Sequence, residues 1–388
     1  MNTKYKGMNR INGDGTFVTG EMLYEKEKKL LQQMARENPL VSEEQTIVVL
    51  GGAGQVGSFL VPELERLYPG RIRLFDKPGG RLNEEEMKQQ GILPFDIVEE
   101  GAVDTVIREH NPGMIINLVA LLSGASERNP ELAHKINYEG VVKVLEAAKE
   151  YGVGKVFTPS SIAVLENVGQ RGELDSPLIA EGKYGKSKQH LEEKTARFAQ
   201  NDLDARCLRF GGVFTCKYPP SDGTTEELDK MIVAAAAFKA GVDPKFDNFD
   251  FTEGKYYVQV PMGARFPMVD GRSIAQAVMK FLHTPKERLG NHPASHFIAE
   301  AIATPASVAE ILKDLAPGLQ VVYDESRIIP GNEIKKRFSE IWPQEVDMKS
   351  AGLDWEHEQT FTLPEMVKYG FDTNHALFSG RQPQVVER

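Results

Sequence analysis

Tyr184 and Lys188 stand four residues apart in Tyr184-Gly185-Lys186-Ser187-Lys188. On a helix this spacing puts a phenol and an ammonium on one face. There the cation favours the phenolate and lowers a pKa of about 10 toward neutrality. Upstream, Thr158-Pro159-Ser160-Ser161 ends an apolar segment, so the Ser161 hydroxyl and the Tyr184 phenol can both hydrogen-bond one substrate oxygen. Gly51, Gly54 and Gly57 follow directly on Thr46-Ile47-Val48-Val49-Leu50. Strand, tight turn and helix start in that order present bare backbone N–H groups and a helix dipole to a pyrophosphate. A dinucleotide beside a phenolic base is an arrangement for hydride transfer. Alone, Tyr-x-x-x-Lys also fits a solvated helix face and the glycines any glycine turn; the combination in register carries the reading.

Further residues fall at strand ends, where such a sheet presents them. Arg71-Ile72-Arg73-Leu74-Phe75 ends in Asp76, about 20 residues past the last glycine, where a carboxylate accepts ribose hydroxyls and repels a 2′-phosphate. This favours NAD over NADP, with the following Lys77 slightly opposing it. Asp96-Ile97 can meet the adenine amino group, or Asp96 can cap a helix over 99–110. Asn117-Leu118-Val119-Ala120 ends the fourth strand, close under the cofactor.

The elements that must position these groups alternate from Thr46 to about Val213. Strands are expected at 46–51, 71–76, 93–97, 114–119, 155–160 and 205–210, with long helices at 130–151 and 183–200. Such alternation predicts an α/β fold, a Rossmann-type doubly wound parallel sheet with a smaller C-terminal substrate-binding α/β domain. Residues 1–45 read as an N-terminal extension. Its helix carries Leu23, Leu30, Leu31 and Met34 on one face and stops at Asn38-Pro39. Residues 46–215 read as the NAD-binding domain. Residues 216–388 read mainly as the substrate-binding part, with some segments returning to the sheet. In that part 241–265 looks loop-like, helices are expected at 226–239, 272–283 (capped by Asp270) and 305–315, and a strand at 319–323.

The chain has 388 residues and a net charge of −10, which argues against nucleic-acid and anionic-membrane partners. No apolar run is long enough for a transmembrane helix, and Met1-Asn2-Thr3-Lys4-Tyr5-Lys6 does not lead into a signal-peptide core. Only Cys207 and Cys216 are present, as expected of free thiols in a reducing, cytoplasmic setting. The eight histidines, among them His283, His292 and His296, form no ligand pattern, so no metal is expected. No G-x-S-x-G points to a hydrolase.

The set Gly51-Gly52-Ala53-Gly54-Gln55-Val56-Gly57, Asp76, Asp96-Ile97, Ser161 and Tyr184–Lys188 resembles the extended, epimerase/dehydratase-like short-chain dehydrogenases/reductases over residues 46–215. Asn137, in Ile136-Asn137-Tyr138-Glu139-Gly140, matches an asparagine of that group. Ala120-Leu121-Leu122-Ser123, Arg206–Val213, Gly223-Thr224-Thr225 and Leu353-Asp354-Trp355 look like the short-chain-type L-threonine 3-dehydrogenases. The resemblance implies NAD-dependent oxidation of the L-threonine β-hydroxyl to 2-amino-3-ketobutyrate, with catalysis by Ser161, Tyr184 and Lys188. It implies NAD contacts from Gly51, Gly54, Gln55, Val56, Gly57, Asp76, Lys77, Asp96, Ile97, Leu118, Ala120, Asn137, Tyr184, Lys188 and Val213. Ser123, Ser161, Tyr184, Thr224 and Thr225 would contact the substrate, with Trp355 walling the pocket, and the enzyme would be a homodimer or higher homo-oligomer. Gly223-Thr224-Thr225 also fits a plain helix-capping turn, and Trp355 a core aromatic. The chain departs from the family pattern at Leu165-Glu166, where an aromatic–Gly pair is usual, and at Glu226-Glu227-Leu228, which replaces Asp-Tyr-Ala. An NDP-sugar epimerase or dehydratase shares every motif up to Lys188, and Lys245, Arg265 and Arg272 could bind its diphosphate. A non-catalytic NAD-binding protein needs none of Ser161, Tyr184 and Lys188.

Overall fold

The computed structural model describes residues 10–11, 17–200, 203–216, 220, 223–246, 248–289 and 295–380. The apolar runs form a parallel sheet in the order Ser295–Ile298, Asp204–Phe210, Lys155–Phe157, Pro112–Asn117, Thr46–Leu50, Ile72–Asp76, Ile92–Pro94. Ser160–Ser161 adds a short pairing beside Asp204–Phe210. Strand order reverses between Thr46–Leu50 and Pro112–Asn117, and a crevice outside the strand carboxyl ends forms at such a point. The glycine loop, Ser161 and the Tyr184 helix all converge there.

Strands Thr46–Leu50 and Pro112–Asn117 are buried almost throughout, because helices cover both sheet faces. One core joins Ile47, Val49, Leu60 and Leu64 to Ile274 and Val278; the other joins Val48, Leu50 and Ile115 to Val144 and Leu191. The expected helix over 130–151 is three pieces: Pro130–His134, a π-helical turn Lys135–Glu139 and Gly140–Glu150. Lys183–Ala199 is one helix.

The extension contributes Gly20–Glu37, capped by Thr19. It packs on the helix Gly271–His283, with Lys280 paired to Glu27 at 2.7 Å and Gln276 Nε2 donating to the Tyr24 carbonyl at 2.8 Å. The strand Ser295–Ile298 joins the main sheet from the second half. The rest of that half gathers around Glu227–Ala240 and Leu363–Phe378, over a core that includes Phe214, Met231, Tyr256 and Phe371. The loop expected at 241–265 contains a hairpin, Phe251–Thr252 with Lys255–Tyr257, whose second strand pairs with Gln320–Val322. Its partly buried aromatics pack around the buried Tyr256: Phe249 lies 5.2 Å from it between ring centroids. Asp247, within that segment, and His292 lie outside the described residues.

Candidate active site

The glycine loop is shaped for close approach. Gly51 has φ +79°, which strains any side chain, and a Cβ there would lie 2.9 Å from the Val119 nitrogen. A Cβ on Gly57 would lie 2.3 Å from the Gly52 carbonyl oxygen, and one on Gly54 3.1 Å from that of Gly51. The helix Gly57–Leu67 has no side-chain cap on its first turn, so its positive end suits a phosphate. Asp76 Oδ2 accepts from Ala53 N at 2.8 Å and Oδ1 from Lys77 N at 2.7 Å, which turns the carboxylate toward the loop. These residues fit a dinucleotide.

On the adenosine side, Lys77 pairs with Asp96 at 2.6 Å. Burial raises the Asp96 pKa, but hydrogen bonds from Lys77 and the Val98 N–H outweigh it and hold the carboxyl below its usual range. The helix cap expected of Asp96 does not form. Its carboxylate closes a two-residue turn onto Val98 N at 3.1 Å, and the helix begins later, at Ala102, behind left-handed Gly101. Ile97 is core, packed where a Cβ on Gly140 would fall. Asn137 is not at the cofactor cavity. Buried in the π-helical turn, its amide accepts from Leu121 N at 2.8 Å and donates to Leu121 O at 2.9 Å. It braces the loop after the fourth strand.

A cavity of about 140 Å³ lies between these parts. Gln55, Val56, Leu118, Ala120, Lys188 and Val213, expected at the cofactor, and Ser123, Ser161, Tyr184, Thr224 and Thr225, expected at the substrate, all line it. Tyr184 is hydrogen-bonded to Ser161, whose Oγ also accepts from Ala163 N at 3.2 Å. Ser123 Oγ sits 3.3 Å from Thr224 Oγ1 and accepts from Thr224 N at 3.2 Å. Gly212 makes room for Thr225, since a Cβ there would lie 2.6 Å from Thr225 Cβ. The turn at Thr224-Thr225 is therefore not a side-chain cap; the helix Glu227–Ala240 has none.

The electrostatics differ from the simple pairing of Tyr184 with Lys188. Burial drives the phenol pKa up; the Ser161 hydrogen bond opposes this and the Glu226 carboxylate adds to it. Burial also lowers Lys188 to about 8, against the attraction of Cys207 and Glu192, and its Nζ donates to the Pro159 carbonyl at 2.7 Å. The depression of the phenol pKa expected from Lys188 is not found: the phenol is raised by burial, and the lowering contribution comes from the Ser161 hydrogen bond.

One expected wall residue moves. Trp355 does not wall the cavity: it is 1 % exposed and packs edge-on to Phe281 and His296, stacked on His357. The tryptophan at the cavity is Trp342. Glu226, Thr215 and Trp342 are lining residues that spacing alone did not single out. An acid directly after two threonines was the available signal for Glu226. Thr215 Oγ1 donates to Asp229 Oδ2 at 2.9 Å and accepts from Gln55 Nε2 at 3.3 Å. Burial lifts Asp229 to about 7, with the Thr215 hydrogen bonds opposing. Lys188 and Glu226 are the charged side chains among the lining residues. Arg265, Arg272 and Lys245 are engaged elsewhere, with Glu345 at 2.7 Å, Asp270 at 2.9 Å and Asp243 at 2.6 Å. Among the described residues no group of acids, histidines and cysteines could hold a metal.

The sequence profile of the NAD dependent epimerase/dehydratase family matches residues 47–245. The chain is 24% identical over 349 residues to the mitochondrial L-threonine 3-dehydrogenase of Bos taurus, covering 89% of this chain and 86% of that protein. The crystal structure of L-threonine dehydrogenase from Phytophthora infestans superposes with a TM-score of 0.72 at 25% identity, covering 84% of this chain and 98% of that one. UDP-glucose 4-epimerase of Thermus thermophilus in complex with NAD shares the fold, with a TM-score of 0.65 at 19% identity over 85% of this chain and 99% of that one. The chain belongs to the NAD dependent epimerase/dehydratase family, and NAD is its cofactor.

Proposed function

We propose that this NAD-dependent dehydrogenase oxidises the β-hydroxyl of L-threonine, or of a related small amino-acid alcohol, to the 2-amino-3-keto acid. The carrying observation is the charge of a small cavity. The Glu226 carboxylate faces the same space as Tyr184 and suits a substrate ammonium. The arginines and lysine that a sugar diphosphate would need are paired with acids away from it. The two L-threonine dehydrogenases named above support the same substrate.

In this reading Ser161 fixes the substrate hydroxyl and Tyr184 takes its proton while the Cβ–H bond breaks. When bound, NAD accepts the hydrogen and electron pair that leave Cβ. Lys188 holds the nicotinamide ribose and favours the phenolate. Glu226 takes the ammonium, and Ser123, Thr224 and Thr225 supply hydroxyl and backbone partners to the carboxylate. Cys207 and Cys216 are buried and form no disulfide, in keeping with a reducing compartment, the cytoplasm. The proposed assembly is a homodimer or higher homo-oligomer, which light scattering tests.

NADH absorbance is the test. Formation of NADH with L-threonine, and none with a panel of NDP-sugars, is the expected result. No NADH with L-threonine, together with binding of a UDP- or GDP-sugar, overturns the reading.

A further inference from the structure

Glu166 is fully buried at the place where the chain departs from the family pattern. A buried carboxylate needs hydrogen bonds or a counter-charge, and among the described residues no lysine or arginine pairs with it. Its partners are three N–H donors. Oε2 accepts from Glu181 N and, at 2.9 Å, from Gly182 N; Oε1 accepts from Trp342 Nε1 at 3.3 Å. Gly182 is the N-cap of the helix Lys183–Ala199, so the negative charge rests on the positive end of the helix that carries Tyr184 and Lys188.

The surroundings are shaped for this carboxylate. A Cβ on Gly182 or Gly185 would lie 3.0 Å from Glu166 Oε1, and one on Gly185 would also lie 2.5 Å from the Ala163 carbonyl oxygen. Trp342 stacks on Phe338 with centroids 5.1 Å apart, and Asn167 N donates to Ile341 O at 2.8 Å. Backbone and side chain together hold the 165–167 segment against the Glu333–Ile341 helix and the tryptophan that ends it.

We infer that Glu166 is a positioning residue that fixes the Trp342 wall of the cavity to the N-terminus of the catalytic helix, so that substrate size and phenol placement are set together. This rests on the amino-acid alcohol reading for the substrate. The indole N–H, once bound, cannot rotate away, and the wall stays over the cavity. A side chain larger than the threonine methyl then meets the indole.

The test uses Glu166→Gln, Glu166→Ala and Trp342→Phe in the full chain. Glu166→Gln should raise the acrylamide quenching of tryptophan fluorescence, because Trp342 is released while Trp355 stays in its core. It should raise KM for L-threonine about tenfold and shift kcat/KM toward β-phenylserine relative to L-threonine. Trp342→Phe should shift the same ratio in the same direction, and the double variant no further, since both act through one contact. Unchanged quenching in folded Glu166→Gln protein overturns the inference, as does an additive shift in the double variant. If Glu166→Ala fails to fold, the glutamine variant decides. Wild-type protein inactive on L-threonine would overturn the substrate reading alone, because quenching still reads the Glu166–Trp342 contact.

Discussion

Lys188 Nζ lies 5.8 Å from the centroid of the Tyr184 ring while donating to the Pro159 carbonyl at 2.7 Å. The ammonium is thus held near the phenol without bonding to it. In the proposed mechanism a cation at this distance favours the phenolate over the phenol. Tyr184→Phe should therefore leave NAD affinity nearly intact and lower turnover by about 10²-fold or more, the contribution expected of a general base. A variant that keeps more than half the activity would remove Tyr184 from that role.

The pH profile has a definite sign. Burial raises the Tyr184 pKa, so activity should climb with pH as the phenol ionises. Lys188→Ala removes a positive charge that favours the phenolate and should move the acidic limb to higher pH while weakening NAD. Measuring kcat/KM across pH decides this; an unmoved limb sinks it.

Asp76 should give a preference for NAD over NADP. Its carboxylate is already oriented by Ala53 N and Lys77 N, so a 2′-phosphate would meet a fixed like charge. Asp76→Ala should narrow the kcat/KM ratio of the two cofactors. Equal values in wild-type protein would contradict the prediction.

What could be seen in the sequence was what local backbone demands. Gly51 and Gly57 are glycines because a left-handed φ and a 2.3 Å approach exclude a Cβ, and that requirement travels with the motif. The Tyr184–Lys188 spacing is equally local. Trp355 and Trp342 were not separable this way. Which tryptophan meets the cavity depends on the strand Ser295–Ile298 joining the sheet beside Asp204–Phe210, which places His296 and its neighbours against Trp355. Glu166 left a fainter trace, an acid directly behind the apolar run Ile162–Leu165. Its partners lie 15, 16 and 176 residues away, beyond any local pattern.

Stability should carry a pH signature from Glu300. Burial raises its pKa to about 7, opposed by hydrogen bonds from Thr360 N and Ser273 and supported by Asp270. A folded pKa above the unfolded one means that its stabilising contribution is present at low pH and lost as pH rises through about 7. His357 and His283, lowered by burial to about 3 and about 4, work the other way and destabilise the fold as pH falls below 6.5. Glu300→Gln should flatten the decline of Tm between pH 5 and 8. Parallel Tm profiles for the two proteins would show that Glu300 does not titrate in this range.

In the proposed reading Glu226 joins substrate and base. Its carboxylate raises the pKa of Tyr184 and lines the cavity beside Thr225, so one substitution should move two observables in set directions. Glu226→Gln removes a charge-assisted bond to the substrate ammonium, worth about 1.5–3 kcal/mol, and should raise KM for L-threonine about tenfold or more. Removing the negative charge also favours the phenolate, so the acidic limb of the pH profile should move to lower pH, opposite to Lys188→Ala. Thr225→Ala, which leaves a polar partner unmet without changing charge, should raise KM by about tenfold and leave the limb where it is. NAD affinity should stay within about twofold in both, since neither residue is on the adenosine side. A rise in KM without the acid-side shift would mean that Glu226 binds substrate but does not act on the phenol. A shift without the KM change would remove the ammonium from the reading.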